Sequence, residues 1–123
     1  MTILVDSDVL IEVTRARDAA TLKRWADLAE SDHVLLCTPV SVAELWNGAR
    51  SSEQKALRDL FHALVCVRLD AETGTKAGEY LRAYHKSHGV ELGDALIAAA
   101  AVQHKATLWT RNREHYPMDL AFY

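Results

Sequence analysis

Apolar residues in this chain follow two rhythms. Short unbroken runs alternate with longer stretches in which apolar positions recur every three or four residues, the signatures of buried strands and amphipathic helices. The first run, Thr2-Ile3-Leu4-Val5, turns abruptly acidic at Asp6-Ser7-Asp8. A strand apolar on both faces suits the centre of a parallel sheet covered by helices on each side. Val9, Leu10 and Val13 then mark a short helix that runs out at Thr14-Arg15-Ala16-Arg17. Asp18 is placed to cap a second helix with Leu22, Trp25, Ala26 and Ala29 on its apolar stripe, ending near Ser31-Asp32.

The alternation continues. Val34-Leu35-Leu36-Cys37 reads as a second strand, followed by Thr38 as N-cap and Pro39 in the first turn of a helix carrying Val42, Leu45 and Trp46 and stopping at Gly48. Ser51-Ser52-Glu53-Gln54 resembles a capping box ahead of Leu57, Leu60, Phe61 and Leu64. Val65-Cys66-Val67 is a brief third strand, and Asp70 caps a long helix through Ala77, Tyr80, Leu81 and Tyr84 that Gly89 would end. A helix built on Ala95-Leu96-Ile97-Ala98-Ala99-Ala100-Ala101-Val102 follows Glu91-Leu92-Gly93-Asp94. Thr107-Leu108-Trp109 is the fourth strand, then come the polar loop Thr110–Pro117 and a candidate edge strand at Leu120-Ala121-Phe122.

Strands alternating with helices predict one α/β domain over residues 1–123, a three-layer α/β/α sandwich with a mostly parallel central sheet. There is no internal repeat, low-complexity tract or linker.

Composition narrows the class without changing it. Half the residues are hydrophobic and a quarter charged, as in ordinary globular proteins. The start lacks a basic segment ahead of an apolar one, so no signal peptide is expected; no apolar run approaches the ~20 residues a membrane span needs, and the cytoplasm is the anticipated compartment. A net charge of −3 argues against a general nucleic-acid coat protein, but not against an enzyme acting locally on nucleic acid. Cys37 and Cys66 lie in apolar runs outside any Cys/His cluster, so both are expected as buried, reduced thiols.

Three acids stand beside strongly apolar sequence: Asp6 at the end of the first strand, Glu44 between Ala43 and Leu45, and Asp94 opening the alanine helix. Each has a plain alternative, respectively a helix cap, a solvent-facing side chain and a partner of the helix dipole. If the first and fourth strands are neighbours, all three reach one edge of the sheet. Carboxylates ~4 Å apart repel by about 4 kcal/mol at an effective dielectric of 20, so such a gathering requires compensation. Oxygen ligands of this kind suit Mg²⁺ or Mn²⁺. Asp8, in the first turn, reads as an exposed dipole partner. Ser7, Ser41 and Thr110 are candidates for orienting water around an ion. Arg111, Arg113, Arg15, Arg17 and Arg50 adjoin the site elements and would suit a phosphate backbone. Among the histidines only His115 lies beside the site, and Trp25 with Trp46 suggests core or a partner groove between the second helix and the Glu44 helix.

Ile3-Leu4-Val5-Asp6-Ser7-Asp8-Val9-Leu10-Ile11, Thr38-Pro39-Val40-Ser41-Val42-Ala43-Glu44-Leu45 with Gly48, Asp94-Ala95-Leu96-Ile97-Ala98-Ala99 and Leu108-Trp109-Thr110-Arg111-Asn112 together resemble the PIN domain, and more narrowly the VapC-type toxin ribonucleases of toxin–antitoxin pairs. The resemblance spans essentially the whole chain. It implies a metal-dependent endoribonuclease with Asp6, Glu44 and Asp94 in an acidic pocket and Mg²⁺ or Mn²⁺ held chiefly by Asp6 and Asp94. It implies as well a homodimer and a cognate antitoxin covering the site. Asn112 stands where many relatives place a fourth acid, which puts a second metal in question.

Three other readings compete. Asp6-Ser7-Asp8 mimics the start of a haloacid-dehalogenase-like phosphatase, but Leu10 departs from that pattern. A receiver-like signalling domain needs an acid at the end of the third strand, where Val65-Cys66-Val67-Arg68-Leu69 has none. A catalytically silent PIN-like binding protein would not need the three acids.

Overall fold

Residues 1–123 are described by a computed structural model. Its sheet contains β1 (Thr2–Val5), β2 (Val34–Cys37), β3 (Val65–Cys66) and β4 (Thr107–Trp109), in the order β3-β2-β1-β4. Every pairing is parallel: Leu4 sits between Leu36 of β2 and Leu108 of β4. The expected edge strand at 120–122 shrinks to a single bridge between Leu108 and Phe122.

Alternate residues of each strand face opposite sides. Leu4, Leu36 and Leu108 join the core under α5 (Ala71–His88) and α6 (Leu92–Gln103). Ile3, Val5, Leu35, Cys37 and Trp109 join the opposite core, with α1 (Ser7–Arg15), α2 (Ala19–Ala29) and α4 (Gln54–His62). Helix α3 (Pro39–Asn47) contributes Leu45 to that second core and rests Val40 against the first. The result is the expected three-layer sandwich.

The alanine helix shows why these sequences choose these places. Ala95, Ala98, Ala99 and Ala100 are fully buried, so α6 is covered nearly all round and its small side chains let it approach β1 and β4 closely. Asp18, Thr38 and Asp70 cap their helices as the sequence predicts, and Gly89 ends α5 at φ +65°, a conformation that favours glycine.

Four expectations need correction. Arg50, not Ser51, begins the turn ahead of α4: its N–H donates to the Glu53 carboxylate at 2.9 Å. On α2 the buried positions are Thr21 and Leu28, with Ala26 and Ala29 exposed, because the Thr21 hydroxyl satisfies itself on the Asp18 carboxylate at 2.6 Å and can turn inward. Cys66 is exposed because β3 is the edge strand, whereas Cys37 is fully buried. Burial pushes the Cys37 thiol up to about 12, the neighbouring Cys66 adding to the shift. Finally, Asp8 is half-buried rather than exposed. No helix is long and apolar enough to cross a membrane.

Candidate active site

A cleft of about 450 Å³ opens at the carboxyl edge of β1, lined by Asp6, Ser7, Asp8, Glu44, Asp94, Asn112 and His115 among others. Because β4 neighbours β1, the loop after Trp109 falls beside the end of β1, and the middle of α3 and the start of α6 face it. The edge of a parallel sheet beyond its carboxyl ends is where α/β folds gather ligands. All three acids singled out in the sequence reach this cleft.

Asp6 both caps and faces the cleft. Its Oδ1 accepts the Ser7 N–H at 2.7 Å, which starts α1. Its Oδ2 accepts the hydroxyls of Thr110 at 2.9 Å and Tyr116 at 2.8 Å. With 7% of its surface exposed, the carboxyl is pushed up to about 6, by burial first and by the Asp8 charge second; the three hydrogen bonds work against the shift. Tyr116, in turn, is held protonated by burial and by that carboxylate.

Asp8 lies one turn-position further along. Its Oδ2 accepts the Arg111 N–H at 3.0 Å and sits 3.3 Å from the Thr110 hydroxyl, and burial raises its pKa. Its Oδ1 is buried without any hydrogen-bond partner. A buried acceptor left unmatched costs on the order of 1–3 kcal/mol, so this oxygen points to a missing cation or water.

The opposite wall is wetter. Glu44 is exposed, and its Oε1 accepts the Ser7 hydroxyl at 2.9 Å. Ser7 has one proton to give, so the 2.7 Å contact between the Ser7 and Ser41 hydroxyls is a donation from Ser41. Asp94 accepts the Glu91 N–H on Oδ2 at 3.3 Å and keeps Oδ1 4.0 Å from His115 Nδ1. Asp94 therefore stands in the first turn of α6, where the helix dipole favours an acid, without leaving the cleft.

Asn112 sends its N–H to the Thr110 hydroxyl at 3.1 Å, while its amide is best satisfied with nitrogen toward Glu114 and oxygen toward His115. These donors are all oxygens, as a hard divalent cation requires, and the orphaned Asp8 oxygen beside the strained Asp6 carboxyl supplies the need for one. No three His, Cys, Asp or Glu side chains stand close enough together to hold an ion by themselves. An ion of the Mg²⁺ kind, which retains several waters, fits such an open set.

A family model for the PIN domain matches residues 3–119. The chain belongs to the PIN-domain family. Ribonuclease VapC10 of Mycobacterium tuberculosis is 40% identical over 120 residues, covering 94% of this chain and 86% of that protein. Ribonuclease VapC19 of the same organism is 32% identical over 116 residues, covering 94% and 92%. Among solved structures, VapBC-1 from nontypeable Haemophilus influenzae superimposes with a TM-score of 0.80 at 21% identity, covering 100% of this chain and 97% of the other.

Within this PIN domain the arginines named from the sequence divide into two sets. The Arg111 guanidinium is engaged, 3.0 Å from Glu12 and 3.8 Å from Asp18, and Arg113 lies 4.9 Å over the Phe122 ring. Arg15, Arg17 and Arg50 line a separate polar hollow with Thr14, Gly48 and Glu53, and of these Arg17 also pairs with Glu12 at 3.1 Å. Between that hollow and the acidic cleft runs an apolar groove of α1, α3 and α4, floored by Ile11, Leu45, Ala49 and Leu57. The groove thus lies one helix away from the pairing of α2 with α3 that Trp25 and Trp46 suggested; both tryptophans instead pack against the second core.

Sequence reasoning missed Tyr116, Glu12 and the cleft role of Asp8. Tyr116 carries a signal only in hindsight: an aromatic hydroxyl in a loop of otherwise exposed polar residues. Glu12 looks like a surface residue of α1 and is only 4% exposed.

Proposed function

We propose that this PIN domain is a metal-dependent endoribonuclease, the toxin of a toxin–antitoxin pair, hydrolysing RNA phosphodiesters in the cleft of Asp6, Asp8, Glu44 and Asp94. One observation carries the metal part of this reading: the partnerless Oδ1 of Asp8 beside an Asp6 carboxyl raised to about 6. Asp6 is buried and Asp8 half-buried beside it, the Arg111 charge is the weakest of the influences on Asp8, and a divalent cation is the compensation that fits. Similarity to two ribonucleases across almost their full length supports the reaction class.

Asp6 and Asp94 would hold Mg²⁺ or Mn²⁺, with Asp8 completing the set in place of the acid that Asn112 lacks. Such an ion lowers the pKa of water and neutralises charge developing on the phosphodiester. The protein side of the chemistry follows from the hydrogen bonds. Thr110 and Tyr116 fix the Asp6 carboxylate from behind, leaving it no freedom to swing. Ser41 and Ser7 anchor one oxygen of Glu44 and leave its other free to orient a water and accept its proton. His115, close to Asp94, is placed to donate to a phosphate oxygen.

A cognate antitoxin that covers the cleft, a homodimeric assembly and a cytoplasmic location belong to the same proposal. A toxin-antitoxin complex from Klebsiella pneumoniae shares the fold, with a TM-score of 0.73 at 18% identity. The phosphatase reading falls with membership of the PIN-domain family, and the silent-protein reading is disfavoured by the intact acids.

The test is cleavage of a fluorescent single-stranded RNA pool with Mg²⁺, with Mn²⁺ and with chelator, comparing wild type with Asp94→Asn. Metal-dependent cleavage lost in the variant supports the reading. Cleavage that persists in chelator, or in the variant, overturns the assignment of the cleft. Stable RNA binding without cleavage in either metal would support the silent protein.

A further inference from the structure

Glu12 is a buried acid that the proposed chemistry does not use. It sits one helical turn beyond Asp8 on the same face of α1, since residues four apart on a helix are neighbours. Its Oε2 lies 3.0 Å from the Arg111 guanidinium and 3.1 Å from that of Arg17. Arg111 therefore meets α1 twice: its N–H donates to Asp8 Oδ2 at 3.0 Å, and its side chain reaches back to Glu12 about 6 Å along the helix axis. The residue before it, Thr110, gives its hydroxyl to Asp6, and the residue after it, Asn112, gives its N–H to Thr110.

We infer that Glu12 is a positioning residue: by gripping Arg111 it clamps the loop after β4 against α1, and so sets where Asp6 and Asp8 point in the cleft. Without Glu12 the Arg111 side chain would keep only its 3.8 Å contact with Asp18 on the solvent side. Two contacts a helical turn apart fix its orientation, and a carboxylate is the acceptor that can hold a guanidinium with charge-assisted bonds. Simple core packing does not explain the residue, because a buried charge is expensive and an uncharged side chain would fill the space. Asp18, 3.8 Å from the same guanidinium, steadies Arg111 from the solvent side.

This inference deepens the metal reading, and it is testable both with and without that reading. In the metal-free protein, amide exchange of Arg111 and Asn112 is followed by NMR in wild type, Glu12→Gln and Arg111→Ala. Loosening of the loop should speed exchange at these amides by about tenfold in both variants while the protection of β1 and α6 is unchanged. A uniform loss of protection across the chain, or no change at the loop, overturns the inference. The second readout is Mn²⁺ affinity, taken from the rise in melting temperature over each variant's own metal-free value. Glu12→Gln should weaken Mn²⁺ binding by about tenfold or more, as loss of outer partners does at metal sites. A variant with a lower metal-free melting temperature but wild-type Mn²⁺ affinity makes Glu12 merely structural. Wild type that binds no Mn²⁺ overturns the metal reading by itself, and the exchange measurement then decides the role of Glu12. Should Glu12→Gln fail to fold, Arg111→Ala, which removes a half-exposed side chain, answers both questions.

Discussion

The two walls of the cleft are built on opposite terms. On one side Asp6 and Asp8 are drawn into the protein, gripped by Thr110, Tyr116, Ser7 and Arg111, and raised in pKa by burial. On the other side Glu44 and Asp94 lie closer to solvent, each held by a single donor. The first wall carries the strain and the second stays adjustable. Such a division is sensible for a site that must bind an ion firmly and yet admit a bulky polymer. The buried wall fixes the ion-facing oxygens before any ligand arrives, and the open wall meets water and substrate.

The comparison can be broken most severely at Asp6. Asp6→Asn should lower RNA cleavage by about a thousandfold, the scale of losing one preorganised charge in an active site. The same change removes a charge that burial disfavours, so the stability of the metal-free variant relative to wild type should rise between pH 4 and pH 7 by up to about 3 kcal/mol, since a shift from 3.8 to about 6 is some two units at ~1.4 kcal/mol each. Urea unfolding in chelator reads this directly. A variant whose stability relative to wild type does not rise across that range would contradict the strain assigned to this wall.

Asp94→Asn should separate the walls. Cleavage falls by a comparable factor, but metal-free stability changes by no more than about 0.5 kcal/mol, because Asp94 is partly exposed and its one hydrogen bond survives in asparagine. Tyr116→Phe should act on the buried wall alone: removal of the hydroxyl costs about 1 kcal/mol and, since that bond favours the charged form, lifts the Asp6 pKa further. A titration of the Asp6 carboxyl by NMR checks the direction. The smallest effect concerns the thiols. A maleimide should label Cys66 readily and Cys37 only on unfolding, read by mass spectrometry, because Cys66 is exposed and Cys37 is buried with its thiol pushed up to about 12.

Most of the fold was legible because it rests on local signals. Unbroken apolar runs became β1, β2 and β4, and Asp18, Thr38, Asp70 and Gly89 terminate helices by contacts within a few residues of themselves. The readings that failed depend on neighbours. Whether Cys66 is buried is decided by which strand takes the edge, and Thr21 joins Leu28 on the inner face of α2 because the Asp18 carboxylate takes up its hydroxyl.

The site divides in the same way. Asp6, Glu44 and Asp94 were visible as acids embedded in apolar sequence. Asp8, Glu12 and Tyr116 were not, because each gains its role from a partner about a hundred residues away in the chain: Arg111 for the two acids of α1, and Asp6 for Tyr116. Asp8 stands in the first turn of α1 as the sequence places it, and its contact with Arg111 adds a role that local sequence does not show.

The most direct measurement is the melting temperature of wild type and Asp6→Asn between pH 4 and pH 8, in chelator and with Mn²⁺. A carboxyl raised to about 6 in the folded state favours folding while protonated, so its contribution is full below about pH 4 and is lost as pH rises through about 6. In chelator the wild type should therefore fall behind Asp6→Asn progressively across that window. Mn²⁺ at a hundredfold over its dissociation constant should return about 2.7 kcal/mol to the wild type and nothing to the variant. Parallel curves for the two proteins in chelator, together with no response of wild type to Mn²⁺, would contradict the claim that this cleft is an acidic pocket strained toward a metal.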